Sequence, residues 1–353
     1  LRIIASQGRE GFYEGQIAKK IASEMKKNNG LITEDDLKKY NPIWRMPLIS
    51  NYRNTQIITM GPPSSGGLHV IQMLNIVENY DLKNIGHNST NYINLLAEVM
   101  KYAYSDRSKY LGDPDFYDVP VEKIISKEYA AEINNNIDIG QSTPVDDIYP
   151  GKFLDKESHE TTHFSVVDEK GNVVSMTYTL NSTFGSKVVI KGTGILMNNE
   201  MDDFSAAPGV PNQFNLLGAD ANAIAPYKRP LSSMTPTIVL KNNELFFTTG
   251  SPGGARIISA VFQSILNIID FKMNLEEATL AKRLHHQWYP DMLEFEFSID
   301  EKINDELKNM NYITKTTLPL TCLQTIMFIE DTYYGYGDFR RVDALASGNI
   351  NVR

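Results

Sequence analysis

The chain carries a single cysteine, Cys322, among 353 residues. One cysteine excludes an intrachain disulfide and any cluster of thiolate metal ligands, so the fold has to be held by packing. Histidine is sparse as well. The six residues, at 69, 87, 159, 163, 285 and 286, show no zinc-ligand spacing. His285 and His286 are adjacent and therefore point apart in either kind of regular structure, which assigns them a structural part. No apolar run approaches the ~18–20 residues that a membrane-spanning helix needs. Basic clusters interleaved with aromatics are also lacking, and the net charge is −9. Both features argue against nucleic acid as a partner. No internal repeat or low-complexity tract is present.

What remains is an ordinary globular composition, 42% hydrophobic and 22% charged, enough for one large α/β domain or two smaller ones. The chain opens Leu1-Arg2-Ile3-Ile4 and reads as starting within a longer protein. Ile17, Ile21 and Met25, spaced by four, predict an amphipathic helix over 12–28, stopped by Asn29-Gly30. Thr33 and Asp36 form a capping-box pattern for a short helix through Lys39. Residues 51–60 read as one strand. The loop Gly61-Pro62-Pro63-Ser64-Ser65-Gly66-Gly67 then opens a helix through Tyr80. A helix over about 90–110 places Leu95, Ala97, Met100 and Tyr104 on its buried side. Residues 140–160, polar and interrupted by Pro144, Pro150 and Gly151, read as a mobile segment. Beyond it, strands are predicted at 163–169, 172–180, 193–198, 235–241, 244–249, 324–330 and 332–336. Asn242-Asn243 is a hairpin signal, and helices cover 254–271 and 275–284, the second capped by Asn274 and Glu277.

The chemistry begins at Glu160-Thr161-Thr162-His163. Two threonines entering a strand are unremarkable, because β-branched residues belong there. A threonine hydroxyl is a weak nucleophile that needs an adjacent base, and the nearest to Thr161 in sequence is its own nitrogen. While Glu160 is attached that nitrogen is an amide. Cutting the Glu160–Thr161 bond turns it into an α-amine of pKa about 7.7–8.0, suited to general-base work near neutrality. Gly250-Ser251-Pro252-Gly253-Gly254 leaves a strand and enters a helix, where successive N–H groups form either a tight turn or an anion-binding nest. It lacks the Lys-Ser/Thr ending of a phosphate loop. Glu200-Met201-Asp202-Asp203 is either a solvated acidic turn or a site for a cation such as an ammonium. Ser232-Ser233 pairs two hydroxyls before a strand and, with the acidic run, suits the two ends of a zwitterion.

Taken together, the strings TTHFSVVD (161–168), TYTLN (177–181), GILMNNEMDDFS (194–205), RPLSSMTP (229–236), GSPGG (250–254) and HHQW (285–288) resemble the γ-glutamyltranspeptidase family. GPPSSGG (61–67) and YAYSDRSKYLGDPD (102–115) match upstream, so the likeness spans nearly the whole chain. The resemblance implies an α+β fold, the four-layer αββα sandwich of the N-terminal nucleophile hydrolases. It further implies self-cleavage between Glu160 and Thr161. Residues 1–160 would then be the C-terminal part of a large-chain region and 161–353 the small-chain catalytic region, the two forming one composite domain. In that family's terms Thr161 is the nucleophile of both processing and catalysis, and Thr179 hydrogen-bonds its hydroxyl. Asn181, Glu200 and Asp203 hold the α-amino group of the γ-glutamyl substrate, Ser232 and Ser233 its α-carboxylate. The N–H groups of Gly253 and Gly254 form the oxyanion hole.

The chain also departs from the pattern. A carboxylate-binding arginine from the early part of the large chain is not among the 353 residues. Phe214 stands where many bacterial members carry a lid tyrosine, and Asp338-Phe339-Arg340 replaces an Asp-Pro-Arg-like string. The implied activity is transfer or hydrolysis of the γ-glutamyl group of glutathione and related amides, without a cofactor. Partners are a small-molecule donor, a water, amino-acid or peptide acceptor, and the two chains of the precursor. The resemblance implies a periplasmic or secreted location. The alternatives are an acylase acting on poly-γ-glutamate or glutaryl amides, and a truncated non-catalytic relative with a binding or structural role.

Overall fold

The computed structural model describes residues 1–148, 161–207, 209–213, 215–296, 298–342 and 344–348. They form two compact units, Leu1–Met46 with Leu180–Asn199, and Pro47–Thr179 with Glu200–Arg353. Each unit draws residues from both sides of the 160/161 junction.

In the first unit the amphipathic pattern resolves into two helices, Arg2–Tyr13 and Gly15–Lys27, broken at Glu14, whose backbone is extended. Ile17 and Ile21 bury against Ile190, with Phe12, Met25, Ile195 and Met197 around them. The helix Glu34–Lys39 starts with the predicted reciprocal cap between Thr33 and Asp36. The predicted strand at 193–198 shortens to Ile195–Leu196, paired with Val189–Ile190.

The second unit is built on a six-stranded sheet. Its strands in spatial order are Leu48–Tyr52, Thr55–Thr59, Thr237–Lys241, Glu244–Thr249, Gln324–Ile329 and Thr332–Gly337, every neighbouring pair antiparallel. The run read as one strand over 51–60 is a hairpin, turned at Arg53, which takes φ +52°. Asn242 and Asn243 both have positive φ, as a tight hairpin turn with right-handed strand twist requires. The helices Gly66–Val77, Thr90–Tyr110 and Arg256–Ile269 contribute to the main core with Val239 and Phe247 of the sheet.

The hairpin Thr162–Val167/Val173–Tyr178 packs against the strands Thr237–Lys241, Glu244–Thr249 and Gln324–Ile329. Its alternation is inverted. His163, Ser165 and Thr177 turn inward, whereas Phe164, Val166, Val174, Met176 and Tyr178 are exposed. Polar cross-strand pairs therefore face the sheet and anchor there: Ser165 Oγ donates to the Gln324 carbonyl at 3.2 Å. A smaller sheet, His285 and Leu284 beside Leu293–Glu296 beside Thr314–Thr317, completes the unit and was not foreseen from sequence.

Residues 140–148 are anchored rather than loose. Lys101, fully buried, donates to Glu98 at 2.9 Å, Ser142 Oγ at 2.6 Å and the Thr143 carbonyl at 2.8 Å. The Trp288 indole N–H donates to the carbonyls of Val145 and Ile148, each at 3.1 Å. The rest of the predicted mobile segment, 149–160, lies outside the described residues.

Candidate active site

Thr161 stands at the open end of the hairpin. The register pairs Thr162 with Tyr178 and His163 with Thr177. Continued by one residue, it sets Thr161 opposite Thr179, on the face that carries His163 and Thr177. Directly opposed side chains have Cβ atoms about 4.5–5.5 Å apart, within reach of a hydroxyl–hydroxyl bond. His163, two residues on, brings an imidazole close to Thr161 in sequence. Its ring nitrogens lie 2.8 Å from Thr177 Oγ1 and 3.2 Å from Ser165 Oγ. Burial pushes its pKa down to about 4. The imidazole is therefore neutral and already engaged with two hydroxyls.

The His163 ring also fixes where this end of the hairpin lies. A Cβ on Gly250 would come within 2.1 Å of it, so the ring rests directly on the Gly250 backbone. Three residues further, Gly253 and Gly254 take φ of +135° and +55°. Their carbonyls accept from Arg256 and Ile257, starting the helix Arg256–Ile269, while their N–H groups make no hydrogen bond among the described residues. Two free N–H groups at the head of a buried helix are what an oxyanion needs.

That loop is braced from behind. Cys322 N–H donates to Ser251 Oγ at 2.9 Å, and Gln324 N–H to the Gly250 carbonyl at 3.0 Å. Glu296 accepts from Thr321 N and Oγ1 at 2.8 and 2.6 Å, and from Leu320 N at 3.0 Å. Behind it Arg283 and Arg340 each bridge Glu296 and Asp338, over 2.7–3.3 Å. Burial alone would raise the Glu296 pKa, yet Arg283, Thr321 and Arg340 hold it below the usual range. Asp338 and Arg340, read from sequence as a departure, are thus part of the support of the Thr321 strap.

The substrate-binding candidates form a second group. Glu200–Asp203 is a 3₁₀ turn in which the two end carboxyls share a hydrogen bond. Burial first, and the Glu200 charge second, raise Asp203 well above the ordinary carboxylate range, while Arg107 opposes the shift. Asn222 ties this turn to the serine pair, donating to the Asp203 carbonyl at 2.7 Å and accepting from Leu231 N at 3.1 Å. Ser232 is clasped by the Gly61–Gly67 loop. Ser65 N and Oγ both donate to its carbonyl, at 2.8 and 2.7 Å, and its N–H donates to Pro63 O at 2.9 Å. Arg107, from the helix Thr90–Tyr110, donates to Ser65 Oγ at 2.9 Å and Ser233 Oγ at 3.1 Å. Sequence reasoning missed Arg107, which sits in the polar run Ser105–Lys109 and carries no local signal of its partners. Asn181 belongs to the first unit. It is buried at φ +73°, with its amide donating to the Asn199 carbonyl at 3.3 Å. Glu160 and Phe214 lie outside the described residues. His285 and His286 are buried against Ser259 and Gln287, and against Asp291, in keeping with a structural part.

An antiparallel sheet backed by helices and faced by a second β layer, with a hydroxyl at the head of a strand, is an α+β sandwich of the N-terminal nucleophile hydrolase type. A cephalosporin acylase from Bacillus halodurans superposes with a TM-score of 0.84 over 99% of this chain and 62% of its own, at 28% identity. The family model described as gamma-glutamyltranspeptidase matches residues 1–348. The chain belongs to the γ-glutamyltranspeptidase family. It is 51% identical over 351 residues to the glutathione hydrolase proenzyme of Escherichia coli (strain K12), covering 99% of this chain and 60% of that one. It is 39% identical to the Acylase ACY 1 proenzyme of Pseudomonas sp. (strain SE83), over 87% of this chain and 52% of that protein. The chain thus spans 60% or less of the length of these curated relatives.

Proposed function

We propose that the chain carries the catalytic centre of an autoprocessed γ-glutamyl transferase/hydrolase acting on glutathione and related γ-glutamyl amides. The observation that carries this reading is the pairing of the Glu200/Asp203 carboxyls with the Arg107-backed Ser232/Ser233 hydroxyls. One half suits an ammonium and the other a carboxylate, the two ends of an α-amino acid. Cleavage before Thr161 would yield the two chain regions 1–160 and 161–353. Thr161 Oγ1 then attacks the γ-amide carbon while the α-amine accepts its proton. Gly253 and Gly254 N–H groups stabilise the oxyanion, and the amine returns the proton to the departing nitrogen. Water, an amino acid or a peptide cleaves the resulting γ-glutamyl ester, its proton passing through the same amine. Thr179 would orient the hydroxyl, and Phe214 would cover the site. No step calls for a cofactor. We place the mature protein in the periplasm or outside the cell.

The acylase reading shares the nucleophile and differs at the ammonium site. A glutaryl group has no α-amine, so the half-buried Glu200/Asp203 pair would face it without a counter-charge. Two variants test the proposal. Thr161→Ala should remain one uncut chain without turnover, and Thr161→Ser should retain part of both. Mass spectrometry of the parent should give a fragment beginning at Thr161. An alanine variant that still matures into two chains would refute the assignment.

A further inference from the structure

Two sequence motifs, Gly61–Gly67 and Tyr102–Asp115, supply no group to the bond-making steps outlined above, yet they meet at the serine pair. Ser65 comes from the first and Arg107 from the second. Hydroxyl bookkeeping at this junction is unusually definite, because a guanidinium can only donate. Ser233 Oγ therefore accepts from Arg107 Nη2, and Ser232 Oγ accepts from Met234 N at 3.1 Å. Among the described residues neither oxygen donates a hydrogen bond, so both serine protons are left for an acceptor outside the protein. Ser65 differs: its Oγ accepts from Arg107 Nε and spends its own proton on the Ser232 carbonyl.

Charge points the same way. Arg107 is 4% exposed. A guanidinium this buried is nearly always paired with a carboxylate. Among the described residues Arg107 forms no ion pair; it feels the charge of Asp203, and its hydrogen bonds go to two neutral hydroxyls. Burial pulls its pKa down to about 10, so it still carries its charge at neutral pH. A buried cation behind two outward-directed O–H donors is half of an anion site.

We infer that Arg107 is a positioning residue for the donor's α-carboxylate, fixing Ser233 as a hydroxyl donor and supplying, through it, the positive charge that the carboxylate balances. The inference rests on the γ-glutamyl reading and adds a residue and a polarity to it. Hydrogen bonds in series polarise one another, so Ser233 donates more strongly with Arg107 behind it than alone. Arg107 does not touch the substrate in this arrangement. Its influence passes through one oxygen atom, and that makes it separable from a general structural part.

The test uses three anilide donors on the matured protein: γ-glutamyl, glutaryl (carboxylate without amine) and 4-aminobutyryl (amine without carboxylate). Arg107→Met should raise KM for the γ-glutamyl and glutaryl donors about tenfold or more, the range for losing a charge-assisted hydrogen bond. KM for the 4-aminobutyryl donor should stay within about twofold, that pair of atoms being absent. On a Ser233→Ala background the same change should add little, because its route is gone. Arg107→Lys keeps the charge but cannot bridge Ser65 and Ser233 together, and should fall between. It carries the same comparison if the Met variant does not fold. Equal losses on all donors, or an undiminished loss on the Ser233→Ala background, would overturn the inference. A parent protein that turns over none of the three donors would instead count against the γ-glutamyl reading itself.

Discussion

Gly253→Ala separates the catalytic from the structural reading of the glycine loop. Gly253 sits at φ +135°, a backbone region that side chains rarely adopt. An added Cβ would also lie 2.9 Å from Thr321 Cγ2 and 3.1 Å from the Leu320 carbonyl oxygen. Backbone strain of this kind costs about 1–3 kcal/mol. For 353 residues the unfolding entropy is on the order of 0.7 kcal/mol/K, so melting should fall by only about 1–4 °C. The rate should suffer far more. Displacing one of two oxyanion donors costs about 10²–10³ in kcat, or roughly 2.7–4 kcal/mol. Substrate affinity should change less, since the oxyanion exists only after attack. The strap provides an internal control. Thr321→Ser removes Cγ2 and keeps the Oγ1 bond to Glu296, so it should relieve the steric part in the double variant and leave the backbone part. Melting curves and steady-state kinetics on matured protein decide the matter. A near-normal kcat with poor donor binding would refute the oxyanion assignment. A fall in melting temperature far beyond a few degrees would mark the glycine as a folding requirement.

Other expectations follow from the same geometry. Asp203→Asn should weaken binding of γ-glutamyl donors about 10- to 150-fold, the loss of a charge-assisted bond to the ammonium, and leave a donor without an α-amine nearly untouched. Because the folded Asp203 pKa is raised, its contribution to stability is complete below the unfolded value of about 3.9 and is lost as pH rises through the folded one. The empty protein should therefore lose melting temperature as pH climbs from about 4, and saturating glutamate should reduce the slope. An identical pH dependence in Asp203→Asn would contradict this. Trp288→Phe keeps the ring and removes the donor that holds Val145 and Ile148. Two-chain product should appear more slowly from the precursor while turnover of matured protein is unchanged; an unchanged processing rate would show that the anchor has no part in maturation.

Local chemistry was legible in the sequence and distant partnership was not. The Thr33/Asp36 and Asn274/Glu277 caps formed as their spacing required, and so did the Asn242-Asn243 turn. These depend on residues within a few positions of one another. The hairpin at 48–59 escaped because Arg53 adopts a left-handed backbone that nothing in its side chain announces. Residues 140–148 looked mobile because they are polar; their partners, Lys101, Glu98 and Trp288, lie far away in sequence. Arg107 was hidden for the same reason, since its meaning comes from Ser65 and Ser233. The candidate catalytic residues were legible as strings, whereas the opposition of Thr161 and Thr179 needed the hairpin register.

The four charges behind the Thr321 strap have a consequence for how this sequence can drift. Arg283, Arg340, Glu296 and Asp338 are two cations and two anions, their side chains no more than 6% exposed, each touching both of the opposite sign. Neutralising any one leaves a net charge sealed away from water, at a cost of about 3–5 kcal/mol. A compensating change at a single partner restores neutrality but leaves each surviving charge with one opposite partner instead of two. Viable descendants of this chain are therefore expected to keep all four or to lose them in complementary pairs. The positions should behave as one inherited character, although they lie on segments up to 57 residues apart in sequence (340 minus 283).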